Sequence, residues 1–465
     1  MASSKLGTVV VLGGGISGLT AAYRLTKANP TPARVILLEA SNRLGGWIHS
    51  SRFQDGVIYE HGPRTLRPAG EAGIASLNLV EELELRDKVI SVPSNHPSAK
   101  NRFIYVDGEL VRLPTELSWV FKARPPFKSS LLAAGFKDLI TKKKPRKRRE
   151  HLRLFRGICA GDAREISVNF LLKPLKEAEQ AYGRITLGLV QKALANRKKT
   201  VSVAKATTSD LVKQARSENW SVWSLNEGLQ TLPEALARKV IASGVEVYTE
   251  SPCTRLEFKS AGGVSVFCND HEFVASNVVS ALPAPTLASL TRAQHPILSD
   301  MLESIESVTV GVVNLEWSGR KLDKDAFGFL VPSSQLLPIL GIVFDSCSFP
   351  QGDRTILTVM MGGKWFNTLF GNEPTEERLL NVALQQVSFV LGIEENPVRA
   401  QVHILKNCIP QYVVGHYDRV QKIREYVTDN RLDLNLIGAS YDGVSVNDCI
   451  HNANLCVDSI AQKAA

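Results

Sequence analysis

The sequence predicts an α/β fold whose centre is a Rossmann-like domain assembled from separated parts of the chain. A buried-strand pattern, Thr8–Leu12, runs into a cluster of glycines and then into a helical pattern. A second apolar run, Arg34–Leu38, ends in the acidic Glu39. Near the other end of the chain, residues 432–440 read as a final strand that closes on a glycine before another helix. Strands that alternate with helices in this way indicate a parallel sheet covered by helices.

The first strand and helix carry the glycine fingerprint of a dinucleotide site. Gly13 permits a tight turn, Gly15 lets the backbone approach a pyrophosphate, and Gly18 lets the helix pack closely on the strand. Glu39, at the end of the second strand, can accept hydrogen bonds from a ribose. We expect the pyrophosphate at the helix N-terminus, where N–H groups and the helix dipole favour negative charge.

The residues after Glu39 indicate which dinucleotide is bound. Arg43 and the pair Gly45 and Gly46 follow the acidic residue, and residues 62–65 form another predicted turn. This arrangement resembles the extended signature of the FAD-binding amine oxidase superfamily, which NAD dehydrogenases normally lack. The resemblance implies FAD as the cofactor, with residues 62–65 passing by the isoalloxazine ring. The alternative is that Arg43 and Arg64 are solvated surface charges.

Two later segments extend the predicted cofactor site. Residues 441–449 open a helix after the final strand, and its N-terminus can hold an anion or the polar edge of a flavin. Residues 244–248 resemble the adenine-side strand of the same superfamily. From these motifs and the resemblance together, the predicted cofactor-binding residues are Gly13, Gly14, Gly15, Ile16, Ser17, Gly18, Glu39, Ala40, Arg43, Gly45, Gly46, Gly62, Pro63, Arg64, Thr65, Val247, Tyr417, Val444, Ser445 and Val446.

Further motifs narrow the resemblance; they occupy residues 101–106, 156–167, 326–334, 340–346, 409–416 and 443–449. Together they resemble the protoporphyrinogen oxidase family, in its animal mitochondrial form, along nearly the whole chain. The resemblance implies a flavin enzyme that oxidises protoporphyrinogen IX to protoporphyrin IX, the penultimate step of haem synthesis, with dioxygen as acceptor and hydrogen peroxide as product. It also implies a homodimer, peripheral to the mitochondrial inner membrane on its intermembrane-space side.

Such a substrate is a large, mostly apolar macrocycle with two propionates, so its pocket should combine apolar walls with a cation. Arg102 fits the cation role because its planar guanidinium can pair a carboxylate through two N–H groups. The resemblance implies further substrate-binding residues, as apolar walls or as close backbone positions: Phe327, Leu330, Met360, Gly157 and Gly328. Surface ion pairing, core packing and ordinary turns are the alternative roles of these residues. No side chain stands out as a catalytic base, since the hydride chemistry belongs to the cofactor.

The charge of the chain is uneven. The 465 residues carry a formal net charge of +9, and basic residues are densest between 122 and 149, ending in a nearly continuous run at 142–149. Such a run fits a solvated loop, a nucleic-acid patch or a surface for anionic lipid. Residues 127–140 are amphipathic and flanked by cations, which suits a surface for anionic lipid. Because the resemblance implies a protein peripheral to a membrane, we favour lipid docking and expect no nucleic-acid partner. No apolar stretch reaches about 18 residues, so no spanning helix is expected.

Other site chemistries find no support in the sequence. The seven cysteines include no C-x-x-C pair and no nearby histidine at metal spacing, so we expect reduced thiols and no bound metal. Patterns typical of P-loop NTPases, zincin metalloproteases and α/β-hydrolases are absent.

The predicted organisation has three parts. The FAD-binding domain comprises residues 1–95, 215–285 and 430–465, and a mixed-sheet substrate-binding domain comprises residues 96–106 and 286–429, with strands expected at 308–315 and 354–361. Residues 107–214 are rich in Leu, Lys and Ala at helical spacing and predict a helical membrane-facing region. Near 150–156 this region is shorter than the family pattern, which makes the activity of this chain an open question.

Two other function classes fit part of the sequence. The first is another flavin oxidase of the superfamily acting on amines, which substrate range would separate. The second is a non-enzymatic relative, such as the escort and dissociation-inhibitor proteins of prenylated GTPases, which keep a vestigial glycine turn. Glu39, Arg43 and the complete glycine signature argue against the second class, and a colourless purified protein would favour it.

Overall fold

A computed structural model describes residues 7–113, 155–162, 164–167 and 209–464. The strands of these residues are, in chain order, β1 (Thr8–Leu12), β2 (Arg34–Leu38), β3 (Ser50–Arg52), β4 (Ile58–Glu60), β5 (Val89–Pro93), β6 (Arg102–Val106), β7 (Glu109–Arg112), β8 (Trp220–Leu225), β9 (Glu246–Tyr248), β10 (Cys253–Phe258), β11 (Val264–Cys268), β12 (His271–Ala275), β13 (Asn277–Ser280), β14 (Ser307–Ser318), β15 (Gly328–Leu330), β16 (Ile339–Phe344), β17 (Arg354–Gly363), β18 (Arg399–Pro410) and β19 (Leu434–Leu436).

The helices of the same residues are α1 (Ile16–Leu25), α2 (Gly70–Glu82), α3 (Pro97–Lys100), α4 (Phe155–Cys159), α5 (Asp210–Ser217), α6 (Thr231–Ala242), α7 (Ala284–Thr291), α8 (Pro296–Glu303), α9 (Asp345–Ser348), α10 (Phe366–Phe370), α11 (Glu376–Leu391), α12 (His416–Asp429) and α13 (Val446–Ala464). A short 3₁₀ helix spans Arg86–Lys88.

The first of two compact units comprises residues 1–91, 209–307 and 415–465. Its central sheet is parallel, in the order β19-β13-β1-β2-β9, as the predicted βαβ start and the final strand require. Side chains of β1 alternate between the two faces of this sheet, so Val9 and Val11 join one apolar core and Val10 and Leu12 join another. Burial on both faces explains why these strands are continuous apolar runs.

Helices or a small sheet cover each face of the parallel sheet. On one side, α1, α2, α6 and α13 contribute to the core around Val9. On the other side lie α7, α8, α12 and the antiparallel meander β10-β11-β12. The structure thus confirms the predicted mixed α/β architecture in this unit.

The second unit comprises residues 92–208 and 308–414, of which the structure describes the parts given above. Its seven-stranded sheet has the order β18-β14-β17-β16-β15-β6-β7. The sheet is mixed because β15 pairs with β6 in parallel and with β16 antiparallel. The strands expected at 308–315 and 354–361 are confirmed and are longer than predicted, since β14 and β17 pair over their whole shared length.

The unit boundaries differ from the sequence-based ones at four places. Residues 286–307 and 415–429 belong to the first unit, because apolar side chains of α7, α8 and α12 bury in the core around Val10. Residues 209–214 also belong to it, because Leu211 and Val212 of α5 join the core around Val9. Residues 92–95 belong to the second unit. The pattern of each helix predicts an apolar face, whereas only the tertiary structure shows which sheet that face covers.

Several expectations fall on residues outside the described ones. These are the basic run at 142–149, the amphipathic segment 127–140, nearly all of the helical region 107–214 and most of the shortened segment 150–156. Within the described residues, no helix combines the length and apolar character that crossing a membrane requires.

Candidate functional site

The glycine turn after β1 has the geometry that the fingerprint predicts. Gly13 adopts a left-handed conformation, φ +96°, and donates its N–H to the Leu38 carbonyl at 2.8 Å. A Cβ on Gly18 would lie 1.9 Å from the Gly13 carbonyl oxygen, so a side chain there is incompatible with the fold. A Cβ on Gly15 would meet only the Gly46 Cα, at 3.8 Å. Protein packing therefore requires Gly18 but not Gly15, and the space beside Gly15 fits a phosphate approaching the α1 N-terminus.

Glu39 fastens this turn to the end of β2. One carboxylate oxygen accepts the Gly14 N–H at 2.7 Å, and the other accepts the N–H and hydroxyl of Ser41 at 2.8 and 2.7 Å. A carboxylate has about four acceptor positions, so the half-buried Glu39 retains capacity for a ribose hydroxyl. Val247 lies beside this point, because β9 pairs Val247 with Leu37 and the Glu39 N–H bonds the Tyr248 carbonyl.

Arg43 and Arg64 are not solvated surface charges. Arg43 is half-buried and directs its guanidinium at the carbonyls of Leu44, Gly46 and Ile48, which closes its own turn. Burial lowers the pKa of Arg43. The negative charge of Glu39 acts in the opposite direction and is the smaller effect. Arg64 is only 8% exposed and donates to the Glu60 carbonyl at 3.4 Å.

The turn containing Arg43 is joined to the fingerprint by its glycines. Gly45 donates its N–H to the Gly14 carbonyl at 2.8 Å, and Gly15 and Gly45 form a parallel bridge. The first glycine cluster and the second therefore lie side by side in the first unit.

A second helix N-terminus lies beside that of α1. The Ser445 hydroxyl and the Asp448 carboxylate cap α13 reciprocally, with the Asp448 N–H donating to the hydroxyl at 3.1 Å and the hydroxyl donating to the carboxylate at 2.6 Å. The Cys449 thiol hydrogen-bonds with Ser17 in the first turn of α1, and burial raises the pKa of this thiol to about 11. The positive ends of two helix dipoles thus meet at one place, which suits an anionic cofactor.

Sequence reasoning missed one residue that supports this second terminus. The fully buried His416 donates from Nε2 to the Tyr441 carbonyl at 3.0 Å, and burial lowers its pKa, which favours the neutral ring. The adjacent Tyr417 is half-buried. Burial is the main cause that raises its pKa, and the carboxylates of Asp442 and Asp448 raise it further. The motif 409–416 contains this histidine, but only the fold brings it to residue 441.

The predicted substrate-binding residues all fall in the second unit. Arg102 on β6 pairs with Gly328 on β15, and its guanidinium lies 5.3 Å from the centre of the Phe327 ring. Leu330 on β15 pairs with Gly341 on β16, which pairs with Met360 on β17. Register therefore places the five predicted residues other than Gly157 on neighbouring strands or next to them.

Strand alternation places the candidate side chains on the opposite face of this sheet from the apolar core around Phe329. Arg102, Leu330 and Met360 share one face, and each is half-buried. Their chain neighbours Phe329 and Met361 point to the other face and are 2% and 0% exposed, in the apolar core of this unit. Core packing therefore accounts for these neighbours, whereas Met360 packs in part against a smaller apolar cluster that contains Val312 and Leu340. Val343, which pairs with Gly328, is a further half-buried member that the sequence analysis missed.

The two predicted backbone positions need glycine for a different reason from the expected one. A Cβ on Gly157 in α4 would lie 2.7 Å from Leu330 Cδ2 and 2.8 Å from the Leu340 carbonyl oxygen. At Gly328, which has φ +134°, a Cβ would lie 2.1 Å from the Ile342 carbonyl oxygen. Protein packing therefore requires glycine at both positions. Gly157 is part of a helix instead of a turn.

Arg156, next to Gly157, was not among the predicted site residues. It is 6% exposed and donates to the carbonyls of Gln335 and Leu337 at 3.1 and 2.9 Å. Its guanidinium also lies 4.9 Å from the centre of the Trp365 ring, and burial lowers its pKa. One buried cation therefore connects α4 to the loop between β15 and β16 and to Trp365, two residues after the end of β17.

With this geometry in place, comparison with known families decides the assignment. The family model of flavin-containing amine oxidoreductases matches residues 16–461. The chain belongs to this family. It is a flavin enzyme whose cofactor is FAD, as the resemblance implied, and membership excludes the non-enzymatic alternative.

Individual relatives agree with the family. A human protein named protoporphyrinogen oxidase is 41% identical over 97% of this chain and 98% of its own length. A Schizosaccharomyces pombe protein of the same name is 30% identical over 98% of both chains. A Bacillus subtilis relative, 25% identical over 97% of both chains, is named coproporphyrinogen III oxidase.

Solved structures agree on the fold. A protein from Exiguobacterium, provisionally named as a protoporphyrinogen oxidase, superposes with a TM-score of 0.76 at 23% identity over 99% of each chain. Cyclohexylamine oxidase from Brevibacterium oxydans superposes with a TM-score of 0.65 at 14% identity, over 98% of this chain and 99% of its own.

Proposed function

We propose that this enzyme oxidises protoporphyrinogen IX to protoporphyrin IX, with dioxygen as the electron acceptor and hydrogen peroxide as the product. The observation that carries the proposal is the half-buried face of Arg102, Leu330 and Met360, with Phe327 beside the guanidinium. Apolar side chains around one cation match a macrocycle that is apolar except for its propionates. The names of relatives at 30% identity and above support the same substrate.

The proposal assigns FAD to the paired helix termini of the first unit. The pyrophosphate lies against the N–H groups that begin α1, in the space beside Gly15, and Glu39 accepts the ribose hydroxyl. Arg43 and Arg64 hold their turns through backbone carbonyls, and the α13 N-terminus faces the polar edge of the flavin. Of the remaining predicted cofactor residues, Val247 lies on β9 and Tyr417 on α12, and the others lie in or next to the same turns.

The division of chemical work follows from these residue types. Bound FAD supplies a two-electron acceptor for hydride, which dioxygen regenerates. Arg102 binds a propionate and orients the macrocycle, while Leu330 and Met360 exclude water from its apolar faces. Under this proposal the chain contributes orientation and electrostatics, and no side chain acts as nucleophile or metal ligand.

A single cuvette experiment tests the function. The purified chain should show a flavin absorbance spectrum, and addition of protoporphyrinogen IX under air should give porphyrin fluorescence faster than the spontaneous oxidation. The Gly15→Val variant, reconstituted under the same conditions, serves as the protein control without cofactor. A flavin spectrum with no turnover of protoporphyrinogen, together with peroxide formation from a primary amine, would assign the chain to the amine-oxidising branch instead. Turnover would also show that the segment near 150–156 is tolerated.

The proposal extends to location and assembly. The protein would act as a homodimer at the mitochondrial inner membrane, on the intermembrane-space side, docked by the basic and amphipathic residues 127–149. Sedimentation with vesicles should increase with anionic lipid content and decrease with salt, and light scattering should give twice the mass of one chain. Vesicle binding that does not depend on anionic lipid content would contradict the basic docking surface. A mass equal to one chain would contradict the dimer.

A further inference from the structure

Two cysteines face each other across neighbouring strands of the first unit. Cys253 begins β10 and Cys268 ends β11, and the antiparallel register pairs them directly. Directly paired residues of antiparallel strands have Cα atoms about 4.5–5.5 Å apart. Disulfides span Cα separations of about 4.4–6.8 Å, so this pairing lies within their range.

The two side chains also share one environment. Opposed residues of an antiparallel pair point to the same face of the sheet. Cys268 is buried in the apolar core around Val10, and the half-buried Cys253 packs against that same core. A bulge follows at once, since the register shifts between Cys253 and Arg255. At present Cys253 Sγ is directed at the Arg255 carbonyl, 3.6 Å away, so bridging needs its rotation towards Cys268.

We propose that Cys253 and Cys268 form a dithiol pair that hydrogen peroxide converts into a cross-strand disulfide. Attack by the Cys253 sulfur on peroxide forms an S–O bond, breaks the O–O bond and releases hydroxide. The Cys268 sulfur then forms the S–S bond, and the oxygen leaves the Cys253 sulfur as water. Overall, two thiols lose two electrons and two protons, and one peroxide becomes two waters. Only the source of the peroxide, the enzyme's own turnover, rests on the proposed function.

The pair lies near the predicted adenosine end of the cofactor site. The Ser251 side chain hydrogen-bonds with the Cys268 thiol, and the Ser251 N–H donates to the Glu39 carbonyl at 2.8 Å. Only Pro252 separates Ser251 from Cys253 in sequence, so the same short segment contacts both the thiol pair and Glu39. Peroxide formed by a flavin reaction in this protein is therefore produced within reach of the pair by diffusion.

Burial makes both sulfurs slow nucleophiles. It raises the pKa of Cys253 to about 12 and also raises the pKa of Cys268, so few thiolates are present at neutral pH. We therefore expect the disulfide to accumulate slowly with sustained peroxide instead of responding to brief pulses. Once formed, it restricts the unfolded chain between the two strands and raises thermal stability.

Peptide mapping of the FAD-loaded full chain tests the proposal. Reduced protein is incubated with hydrogen peroxide, quenched with catalase, unfolded in an alkylating agent and digested without reduction. We expect a cross-linked peptide pair containing Cys253 and Cys268, and a number of alkylated thiols that falls by two from seven. Cys253→Ser removes the cross-link, whereas Cys456→Ser, which alters a half-buried thiol elsewhere in the chain, leaves it unchanged. The oxidised wild type unfolds at a higher temperature than oxidised Cys253→Ser.

Two results would overturn the proposal. One is alkylation of both thiols after prolonged peroxide treatment that oxidises other cysteines. The other is a cross-link that joins Cys268 to a different cysteine. Added peroxide keeps this test independent of the substrate. A cross-link that forms with added peroxide but not during turnover without catalase would refute only the proposed source.

Discussion

Gly15 and Gly18 lie three residues apart and have opposite reasons for lacking a side chain. A Cβ on Gly18 would occupy the position of the Gly13 carbonyl oxygen, so packing of α1 on β1 depends on that glycine. A Cβ on Gly15 meets the Gly46 Cα at an ordinary contact distance of 3.8 Å. The fold therefore requires Gly18, and we propose that Gly15 leaves room for the cofactor.

This difference gives a paired test. Gly15→Val should fold but bind FAD at least tenfold more weakly, which corresponds to about 1.4 kcal/mol, because the side chain fills the space of the pyrophosphate. Gly18→Ala should instead lower the free energy of unfolding by about 3 kcal/mol or more through overpacking. Flavin absorbance after gel filtration and circular dichroism separate the two outcomes. Full flavin content in Gly15→Val would contradict the placement of the pyrophosphate.

Arg102 is the residue on which substrate recognition depends in our proposal. Arg102→Ala should raise the KM for protoporphyrinogen IX about 10- to 100-fold, the equivalent of one charge-assisted hydrogen bond of about 1.5–3 kcal/mol. Flavin content should stay constant, because the predicted FAD residues belong to the other unit. Arg102→Lys should recover part of the loss, since it keeps the charge but not the planar fork. An unchanged KM in steady-state kinetics would exclude the propionate contact.

At the scale of elements, a buried arginine holds α4 against the loop that follows β15. Arg156 satisfies the carbonyls of Gln335 and Leu337, while the neighbouring Gly157 packs on Leu330. These contacts determine the position of one wall of the proposed pocket. A helix of five residues, Phe155–Cys159, has little intrinsic stability, so such tertiary contacts are what order it.

Loss of that contact should affect both stability and substrate binding. Arg156→Ala should destabilise the protein by about 2–4 kcal/mol, because two hydrogen bonds from a charged donor are lost in a buried place. It should also raise the KM through movement of Gly157 and Leu330, with flavin content unchanged. Arg112→Ala, an exposed change on β7 of the same unit, is the control and should stay within about 0.5 kcal/mol of the wild type. A lower unfolding temperature with an unaltered KM would restrict Arg156 to a purely structural role.

At the scale of the whole molecule, three separated stretches of chain build the first unit around one parallel sheet. The predicted cofactor residues between 13 and 65 lie in the first of these stretches, Val247 lies in the second, and Tyr417 and residues 444–446 lie in the third. A ligand that contacts all of them binds only the folded chain, because only folding brings these residues together. Ligand binding should therefore stabilise the unit against unfolding.

This linkage can be measured without a substrate. FAD at 100 times its dissociation constant should stabilise the wild-type chain by about 2.7 kcal/mol. Thermal unfolding of protein stripped of flavin, with and without added FAD, should show the corresponding rise in midpoint. The Gly15→Val protein, which binds FAD at least tenfold more weakly, should be stabilised by about 1.4 kcal/mol or less at the same concentration. Equal shifts in both proteins would mean that FAD binds elsewhere.

The sequence by itself determined the Rossmann start, the final strand and helix, and the family of the enzyme. Local rules govern each of these features: glycine conformation, strand alternation and the side-chain requirements of a helix N-terminus act within a few residues. For that reason β1, β2, β14 and β17 were all predicted close to their observed positions. The grouping of Arg102 with residues 327–330 depended on resemblance, because nothing local connects β6 to β15.

Only the tertiary structure decided which sheet each amphipathic helix covers and which strands of the second sheet are neighbours. Helices α7, α8 and α12 joined the first unit because their apolar side chains bury against the sheet around Val10. Arg156, His416 and the Cys253–Cys268 pair carry no local signal, since their partners lie far along the chain or on a neighbouring strand. Long-range burial and register bring these groups together, and both are properties of the folded chain as a whole.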